Sequence, residues 1–270
     1  MAFGDVLVHL DNGPRSSVRL ALARSLAERF GARLVGLFAE RAPPIRVGVV
    51  ATWPSAEYVA AADSAWTAFT AATADLGPRA VWVDCNRGGE VEVVSRTIDI
   101  ARTSDLIVIG QTEEEGARVP SDFAERLILE SGRPVLVIPH SGTYGGVGER
   151  PLFAWTAARA AARAMADALP LVMPGADALV LTAAEPSTAL DEASERVLGH
   201  LAAHGIEARF SSVVVEEVKL MDTLLNRAAD HSADLLAIGA FENAGFPFVG
   251  RGSGTRYVLR HMTLPVLFSH

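Results

Sequence analysis

The sequence predicts an α/β protein of two tandem domains, each with a doubly wound, five-stranded parallel sheet. The first observation is an internal repeat: residues 104–110 reappear as residues 233–239, and residues 133–137 reappear as residues 264–268. The second is that β-rich runs alternate with amphipathic stretches in both halves, which is typical of right-handed strand–helix–strand units. The two copies therefore share one fold.

The first copy begins with a β-rich run at residues 6–10, which ends in the turn signal of residues 11–14. Apolar residues recur every four positions from Val18 to Phe30, and Gly31 follows, so an amphipathic helix is predicted over 16–30. The same patterns predict strands at 34–39, 80–84, 106–109 and 135–138, helices at 56–76, 91–101 and 121–130, and a proline-rich loop at 42–54.

The second copy repeats this order of elements. Strands are predicted at 152–155, 178–182, 208–214, 235–238 and 266–268, with helices up to Leu169 and at 187–204, 218–231 and 253–261. Residues 140–148 contain four glycines and no apolar periodicity, which predicts a flexible surface link. We therefore expect one domain at 1–140 and another at 150–270.

Composition excludes several classes of function. The 270 residues carry a net charge of −8 without a basic block, which argues against nucleic acid as a partner. No segment is long and apolar enough to span a bilayer, and the chain begins without a secretory pattern, so no membrane contact is expected. Cys85 has no second cysteine to pair with, which suits a reducing compartment. A cytoplasmic protein with a structural, unreactive Cys85 is expected.

The loop after the fourth strand of the second copy carries the most specific pattern. That strand ends at Gly239, and Gly252, Ser253 and Gly254 lie where the next helix begins. Glycines let backbone approach phosphate oxygens closely, and a helix N-terminus offers free N–H groups and a partial positive charge. The pattern resembles the universal stress protein family, whose ATP-binding members carry Gly-x2-Gly-x9-Gly-(Ser/Thr) in this loop.

The resemblance implies the adenine nucleotide alpha hydrolase-like fold for both halves and assigns roles to residues of the second. Gly239 matches the first glycine, Gly252 the third, and Ser253 the hydroxyl position. Glu242 stands where the second glycine belongs, and Thr156 stands where ATP-binding members have an Asp after the first strand. A carboxylate beside phosphates lowers affinity, so ATP is expected to bind weakly, and in the second half only.

The first half keeps the family's Asp after the first strand but lacks the glycine pattern of the loop. Asp11 matches the Asp after the first strand, but residues 113–115 are three consecutive glutamates, and residues 121–122, Ser-Asp, replace the Gly-Ser pair. The acidic run repels a triphosphate, and the loop is shorter. Asp11 is then expected to cap the following helix or to stabilise the turn.

Other sites have weaker support. His200 and His204 share one face of a predicted helix, a spacing that suits a metal, but no third ligand lies near in sequence, so two exposed histidines are expected. No Gly-x-Ser-x-Gly elbow follows a strand, and Ser253 is better explained as a helix cap than as a nucleophile. Whether the protein is an enzyme stays open, with a non-catalytic role favoured.

Partners follow from the resemblance and from two apolar loops. Family members pair through their last strands, so residues 135–138 and 266–268 are expected to form the inner edges of an intramolecular pseudo-dimer. The apolar loops 43–54 and 245–249 need cover, either from their own domain or from a second subunit of a homodimer. The leading hypothesis is a non-catalytic stress-response or regulatory module with an eroded nucleotide site; the alternative is an ATP-binding stress protein that hydrolyses ATP slowly.

Overall fold

The computed structural model describes residues 3–41, 45–47, 50–52, 54–85, 90–112, 118–183, 192–213, 220–241 and 252–270. The chain divides into two compact units, Met1–Gly146 (unit 1) and Val147–His270 (unit 2). Among the described residues, no helix is both long and apolar enough to cross a membrane.

Unit 1 alternates strands and helices along the chain. Its elements are β1 (Asp5–Leu10), α1 (Ser16–Phe30), β2 (Arg33–Phe38), β3 (Ile45–Val47), β4 (Val50–Thr52), α2 (Ala56–Ala72), β5 (Ala80–Asp84), α3 (Glu90–Ala101), β6 (Leu106–Gly110), α4 (Phe123–Glu130) and β7 (Val135–Ile138). A short 3₁₀ helix, Ala74–Arg79, joins α2 to β5.

The sheet of unit 1 has five parallel strands in the order β7-β6-β1-β2-β5. The chain runs outward from β1 through β2 to β5 and then returns to β6 on the other side of β1. Helices α1 and α2 pack together, as do α3 and α4. The reversal between β1 and β6 opens a crevice at the carboxyl ends of these strands, where ligands of doubly wound folds bind.

Unit 2 has the same topology. Its elements are β8 (Pro151–Trp155), α5 (Arg159–Ala168), β9 (Ala178–Ala183), α6 (Glu192–Ala203), β10 (Ala208–Val213), α7 (Leu220–Asp230), β11 (Leu235–Gly239), α8 (Ser253–His261) and β12 (Val266–Ser269). The strand order is β10-β9-β8-β11-β12, all parallel. The predicted fold, two five-stranded parallel α/β repeats, is confirmed.

Helix α1 shows how the pattern specifies the fold. Leu22 and Leu26 are 0% and 1% exposed, so the predicted apolar face is the face that packs on the sheet. The helix stops at Gly31, which adopts φ 64° and donates its N–H to the carbonyls of Ala27 and Glu28. A left-handed residue at this position strongly favours glycine.

The repeated aspartate has a structural role that explains its recurrence. The Asp105 carboxylate accepts the backbone N–H groups of Gly4 and Asp5 at 2.8 and 3.0 Å, and so ties β1 to the start of β6. The Asp234 carboxylate accepts the N–H groups of Glu149 and Arg150 at 2.8 and 2.9 Å. Each aspartate fixes the register of the two strands that form the crevice.

The structure corrects two of the predicted elements. The proline-rich loop contains an antiparallel hairpin, β3–β4, because β-branched residues flank Gly48 on both sides. The helix predicted over 56–76 ends at Ala72, since Gly77 takes a non-helical conformation and Pro78 follows it. The glycine-rich link predicted over residues 140–148 is hydrogen-bonded to α1, because Ser25 Oγ donates to the Gly145 carbonyl at 2.9 Å.

Candidate functional site

The candidate site in unit 1 lies where β1 and β6 end. Asp11 follows β1 directly, and its Oδ1 accepts the N–H of Gly13 at 2.9 Å. The same oxygen lies 2.8 Å from Nη2 of Arg19, and the two side chains are only 12% and 5% exposed. Of the two roles expected for Asp11, the turn is confirmed and the helix cap is wrong: Arg15 precedes α1, without a side-chain cap.

Arg19 projects from α1 into the crevice and is held there by several contacts. Its Nε donates to the His9 carbonyl at 3.0 Å, and its Nη2 donates to Ser16 Oγ at 3.1 Å. A Cβ placed on Gly110 would lie 2.6 Å from Nη1 of Arg19. The guanidinium therefore fills the space above the glycine that ends β6, where a nucleotide-binding fold leaves room for its ligand.

Charges and burial act against each other at this cluster. Burial would raise the pKa of the Asp11 carboxyl, but the Arg19 guanidinium and the Gly13 N–H outweigh burial and hold that pKa below its usual value. Burial lowers the pKa of the His9 ring to about 4, although the nearby Asp11 charge acts to raise it. His9 is therefore neutral at physiological pH, with Nε2 bonded to the Ala39 carbonyl at 2.7 Å.

The neutral His9 makes unit 1 sensitive to acid. The folded-state pKa is depressed from 6.5 to about 4, so the unfolded chain takes up the proton first and stability falls as the pH drops through this window. Between pH 7 and pH 5 the loss is expected to be about 2 kcal/mol. Urea unfolding of wild type and His9→Gln at both pH values measures it. A pH dependence that is identical in the two proteins would contradict the buried, neutral imidazole.

The space between Asp11 and the end of β6 is small. A cavity of about 30 Å³ opens beside Asp11 and Gly110. Pockets that bind drug-sized or cofactor-sized ligands measure about 300–1,000 Å³, so this cavity alone is far too small for a nucleotide. A larger cavity of about 450 Å³ lies on the other side of Asp11, between the end of β1 and helices α1 and α2. The acidic run at residues 113–115, on which the sequence argument against nucleotide binding relied, lies outside the described residues.

The corresponding crevice in unit 2 lacks this charged cluster in its described residues. Thr156 follows β8 as Asp11 follows β1, and its side chain is exposed. A Cβ on Gly239 would lie 2.5 Å from the backbone of Ala160 and Ala161. Gly239 is therefore needed for the close approach of α5 to β11, a packing role that the sequence interpretation missed. Its predicted phosphate contact stays a prediction.

The start of α8 holds the remaining predicted residues of unit 2. Gly252 adopts φ 84°, and a Cβ there would lie 2.4 Å from the Phe241 ring. The hydroxyl of Ser253, the first residue of α8, is buried and has no hydrogen-bond partner among the described residues, so the helix-cap interpretation of this serine is wrong. A Cβ placed on Gly254 would lie 3.4 Å from Sδ of Met221, which is an ordinary van der Waals distance. Glu242 lies outside the described residues.

Thr255 is a further residue of this crevice that the sequence analysis did not single out. Its Oγ1 accepts the backbone N–H of Phe241 at 2.9 Å, and so ties the end of β11 to the first turn of α8. Phe241 itself has φ 55°, an uncommon conformation for a residue with a side chain. The sequence signal that could have identified Thr255 is its position in the first turn of the predicted helix, two residues after Ser253.

Other candidate groups are structural or exposed. Cys85 is buried, and burial raises the pKa of its thiol to about 11, as expected for an unreactive cysteine. His200 and His204 are both exposed, with ring centroids 4.9 Å apart. Across the described part of the chain, no three histidine, cysteine or acidic side chains are grouped as metal ligands.

The fold and the crevice at the strand ends define a tandem α/β protein of the doubly wound class. Residues 148–270 match the sequence model of the Universal stress protein family, and this half of the chain belongs to that family. The resemblance predicted from the sequence is thereby confirmed. No curated protein matches the chain in sequence.

Solved structures extend the likeness to the whole chain. A universal stress protein from Archaeoglobus fulgidus DSM 4304 is similar over 98% of this chain and 96% of its own, with a TM-score of 0.66 and 16% identity. A putative universal stress protein from Pseudomonas aeruginosa UCBPP-PA14 is similar over 99% and 93%, with a TM-score of 0.60 and 15% identity. At these identities the likeness establishes the fold of both units.

Proposed function

We propose that the protein is a non-catalytic stress-response or regulatory module whose nucleotide site is eroded in unit 1 and partial in unit 2. The observation that carries this proposal is the Arg19–Asp11 pair: the chain fills the unit 1 crevice with its own side chain. Oδ1 of Asp11 is committed to Arg19 and to the Gly13 N–H, so this oxygen is not free to bind a ribose.

A second candidate function, ATP binding by unit 2, is favoured by one specific observation. The buried Ser253 hydroxyl has no partner among the described residues, and a buried unpaired polar group is costly. It sits at the N-terminus of α8, where the first N–H groups of a helix have no intrahelical acceptor. We propose that phosphate oxygens contact Gly252, Ser253 and Gly254, with Gly239 below them and the base near Thr156.

The non-catalytic role is supported by the surroundings of that serine. A nucleophilic hydroxyl needs a general base within hydrogen-bonding distance, and within the described segments Ser253 Oγ has no such neighbour. A cytoplasmic location and an intramolecular pseudo-dimer paired through β7 and β12 stay predictions of the sequence analysis.

The site assignment predicts how substitutions change ATP affinity. Glu242→Gly removes a carboxylate and a side chain from the expected phosphate path, so ATP should bind about tenfold more tightly, which corresponds to about 1.4 kcal/mol. Ser253→Ala should weaken ATP binding several-fold, because a donor is lost at the phosphate. Isothermal titration calorimetry of each protein measures both effects.

Controls separate these effects from misfolding. Gly252→Val should abolish binding, but it strains a residue at φ 84°, so Ser253→Ala is the cleaner variant. Thr112→Val in unit 1 should leave ATP affinity unchanged. Equal ATP affinity in wild type, Glu242→Gly and Ser253→Ala would show that the nucleotide does not use this loop.

A further inference from the structure

The outer edge of the unit 1 sheet is open and apolar. Strand β5 is the last strand on that side, and among the described strands it pairs with β2 alone. Its residues read Ala-Val-Trp-Val-Asp, with no proline, lysine or arginine among them. Natural proteins protect an edge strand with such residues or cover it, because an open edge is a template for another strand. Strand β5 therefore lacks the usual protection within its own sequence.

The equivalent edge of unit 2 is protected by polar residues. Strand β10 ends the second sheet as β5 ends the first. It carries Arg209, whose side chain is 66% exposed and lies 2.9 Å from a carboxylate oxygen of Asp177, and serines at positions 211 and 212. Both strands occupy the same place in one repeated fold. The apolar character of β5 is therefore not imposed by the fold and has a cause of its own.

Two tryptophans extend the apolar edge onto α2. The Trp82 ring packs on Phe69 with 5.4 Å between centroids, and the Trp66 ring lies 5.5 Å from that of Trp82. Trp66 is nevertheless 45% exposed, and Val59, two helical turns before it, is 42% exposed. Aromatic side chains that are held by packing but open to solvent are typical of residues that carry protein–protein binding energy. We call β5 together with Val59 and Trp66 the β5 edge patch.

The backbone of β5 determines which groups face away from the sheet. The Cys85 N–H donates to the Phe38 carbonyl at 3.0 Å, toward β2. Because the backbone groups of successive strand residues point to opposite sides, those of Val81 and Val83 also face β2, and those of Trp82 face outward. An antiparallel strand placed at this edge would exchange two backbone hydrogen bonds with Trp82. The edge therefore offers a strand-pairing position centred on a tryptophan.

The same segment is complementary to an antiparallel copy of itself. Arg79 precedes β5, and the exposed Asp84 ends it. Antiparallel pairing about Trp82 brings the positive end of each strand to the negative end of the other, and the two-fold axis passes between the tryptophans, so no charge meets its own copy. A two-fold interface requires this kind of self-complementarity, and opposite charges across an interface fix its register. The charges thus favour a second copy of the chain as the occupant of the edge.

We propose that two copies of the chain associate through the β5 edge patch, about a two-fold axis at Trp82. The Trp82 backbones of the two copies exchange hydrogen bonds, and the two unit 1 sheets continue into each other in antiparallel pairing. The exposed parts of Trp66 and Val59 become buried between the two α2 helices. A five-residue strand and one helix face make a small interface, so the association is reversible. This surface is distinct from β7 and β12, through which the intramolecular pseudo-dimer is predicted.

Sedimentation velocity of the full chain over a range of concentrations tests the association. A monomer–dimer equilibrium with a dissociation constant of about 10 μM is expected, without larger species. Trp66→Ala should weaken it about thirtyfold or more, as for a central interface residue. Leu129→Ala is the matched control, because Leu129 is 41% exposed on α4, and it should leave the equilibrium unchanged. Circular dichroism shows whether both variants keep the wild-type fold.

Amide hydrogen exchange followed by NMR tests the strand pairing itself. The Trp82 amide should exchange more slowly as the protein concentration rises, because its N–H is bonded only in the dimer. The Val83 amide faces β2 and should be protected at every concentration. In Trp66→Ala the concentration dependence at Trp82 should disappear over the same range, while the protection of Val83 stays.

Other outcomes would overturn the proposal. A chain that stays monomeric far above the expected dissociation constant does not use the patch. A dimer that Trp66→Ala leaves intact has its interface elsewhere, for example at the apolar loop 43–54. A Trp82 amide with the same protection at all concentrations would mean that the chain covers its own edge. Species that grow beyond a dimer would show that β5 pairs with a different surface of the next copy, which contradicts the two-fold arrangement.

Discussion

Replacing Arg19 by methionine is expected to lower the free energy of unfolding of unit 1 by about 4 kcal/mol, because the Asp11 carboxylate is left buried without its cation. The side chains of Asp11 and Arg19 are 12% and 5% exposed, so water screens the remaining charge only in part. Methionine fills a similar volume, which limits the loss from packing. Urea unfolding followed by tryptophan fluorescence measures the effect, since Trp66 and Trp82 lie in unit 1.

Two controls show whether the loss comes from the unpaired charge. The double variant Arg19→Met with Asp11→Asn removes both charges and should recover a large part of the stability. The exposed pair Arg126–Glu130, four residues apart on α4, offers a matched surface test: Arg126→Met should cost less than about 1 kcal/mol. A similar cost for both arginines would mean that the crevice is wetter than the structure indicates.

Replacing Gly239 by alanine is expected to lower the stability of unit 2 by about 3 kcal/mol, the upper part of the range for overpacking. The added Cβ would lie 2.5 Å from backbone atoms of Ala160 and Ala161. Backbone cannot turn away as a flexible side chain can, so α5 has to shift from β11. Hydrogen exchange of peptides from β11 and α5 would show faster opening, and urea unfolding gives the magnitude.

Gly199 provides the matched control within the same unit. It lies inside α6, and a Cβ there would have nothing within 4 Å. Gly199→Ala should therefore stabilise the protein by about 0.5–1 kcal/mol through helix propensity. If Gly239→Ala were equally harmless, the close approach of α5 to β11 would not be required.

Most of the fold could be predicted because its signals are local. Helix α1 occurs over the predicted residues 16–30, and β5 and β7 keep their predicted bounds, since turn residues and apolar periodicity mark those ends. The hairpin β3–β4 was missed because its prolines and glycine suggested a loop and its strands have three residues each. The repeat correctly pointed to Gly110 and Gly239 as the ends of equivalent strands.

The site was less predictable, because its chemistry depends on contacts between distant residues. Asp11 was identified from its position after β1. Its partner Arg19 lies on the buried, apolar face of α1, and the periodicity of apolar residues gives no reason to single out one polar residue there. The role of Gly239 against α5 requires the distance between two backbones, which the sequence does not contain. The contact between Phe241 and Gly252 likewise joins residues eleven positions apart, which the sequence does not bring together.

If Arg19 and Asp11 close the space between β1 and β6 to nucleotides, as we propose, any nucleotide should bind in unit 2 alone. The most direct measurement is the stoichiometry of ATP binding to the full chain by isothermal titration calorimetry, repeated for Ser253→Ala and Thr112→Val. We expect no more than one ATP per chain, with affinity weakened by Ser253→Ala and unchanged by Thr112→Val. Saturation at two ATP per chain, or binding that Thr112→Val weakens and Ser253→Ala does not, would contradict it.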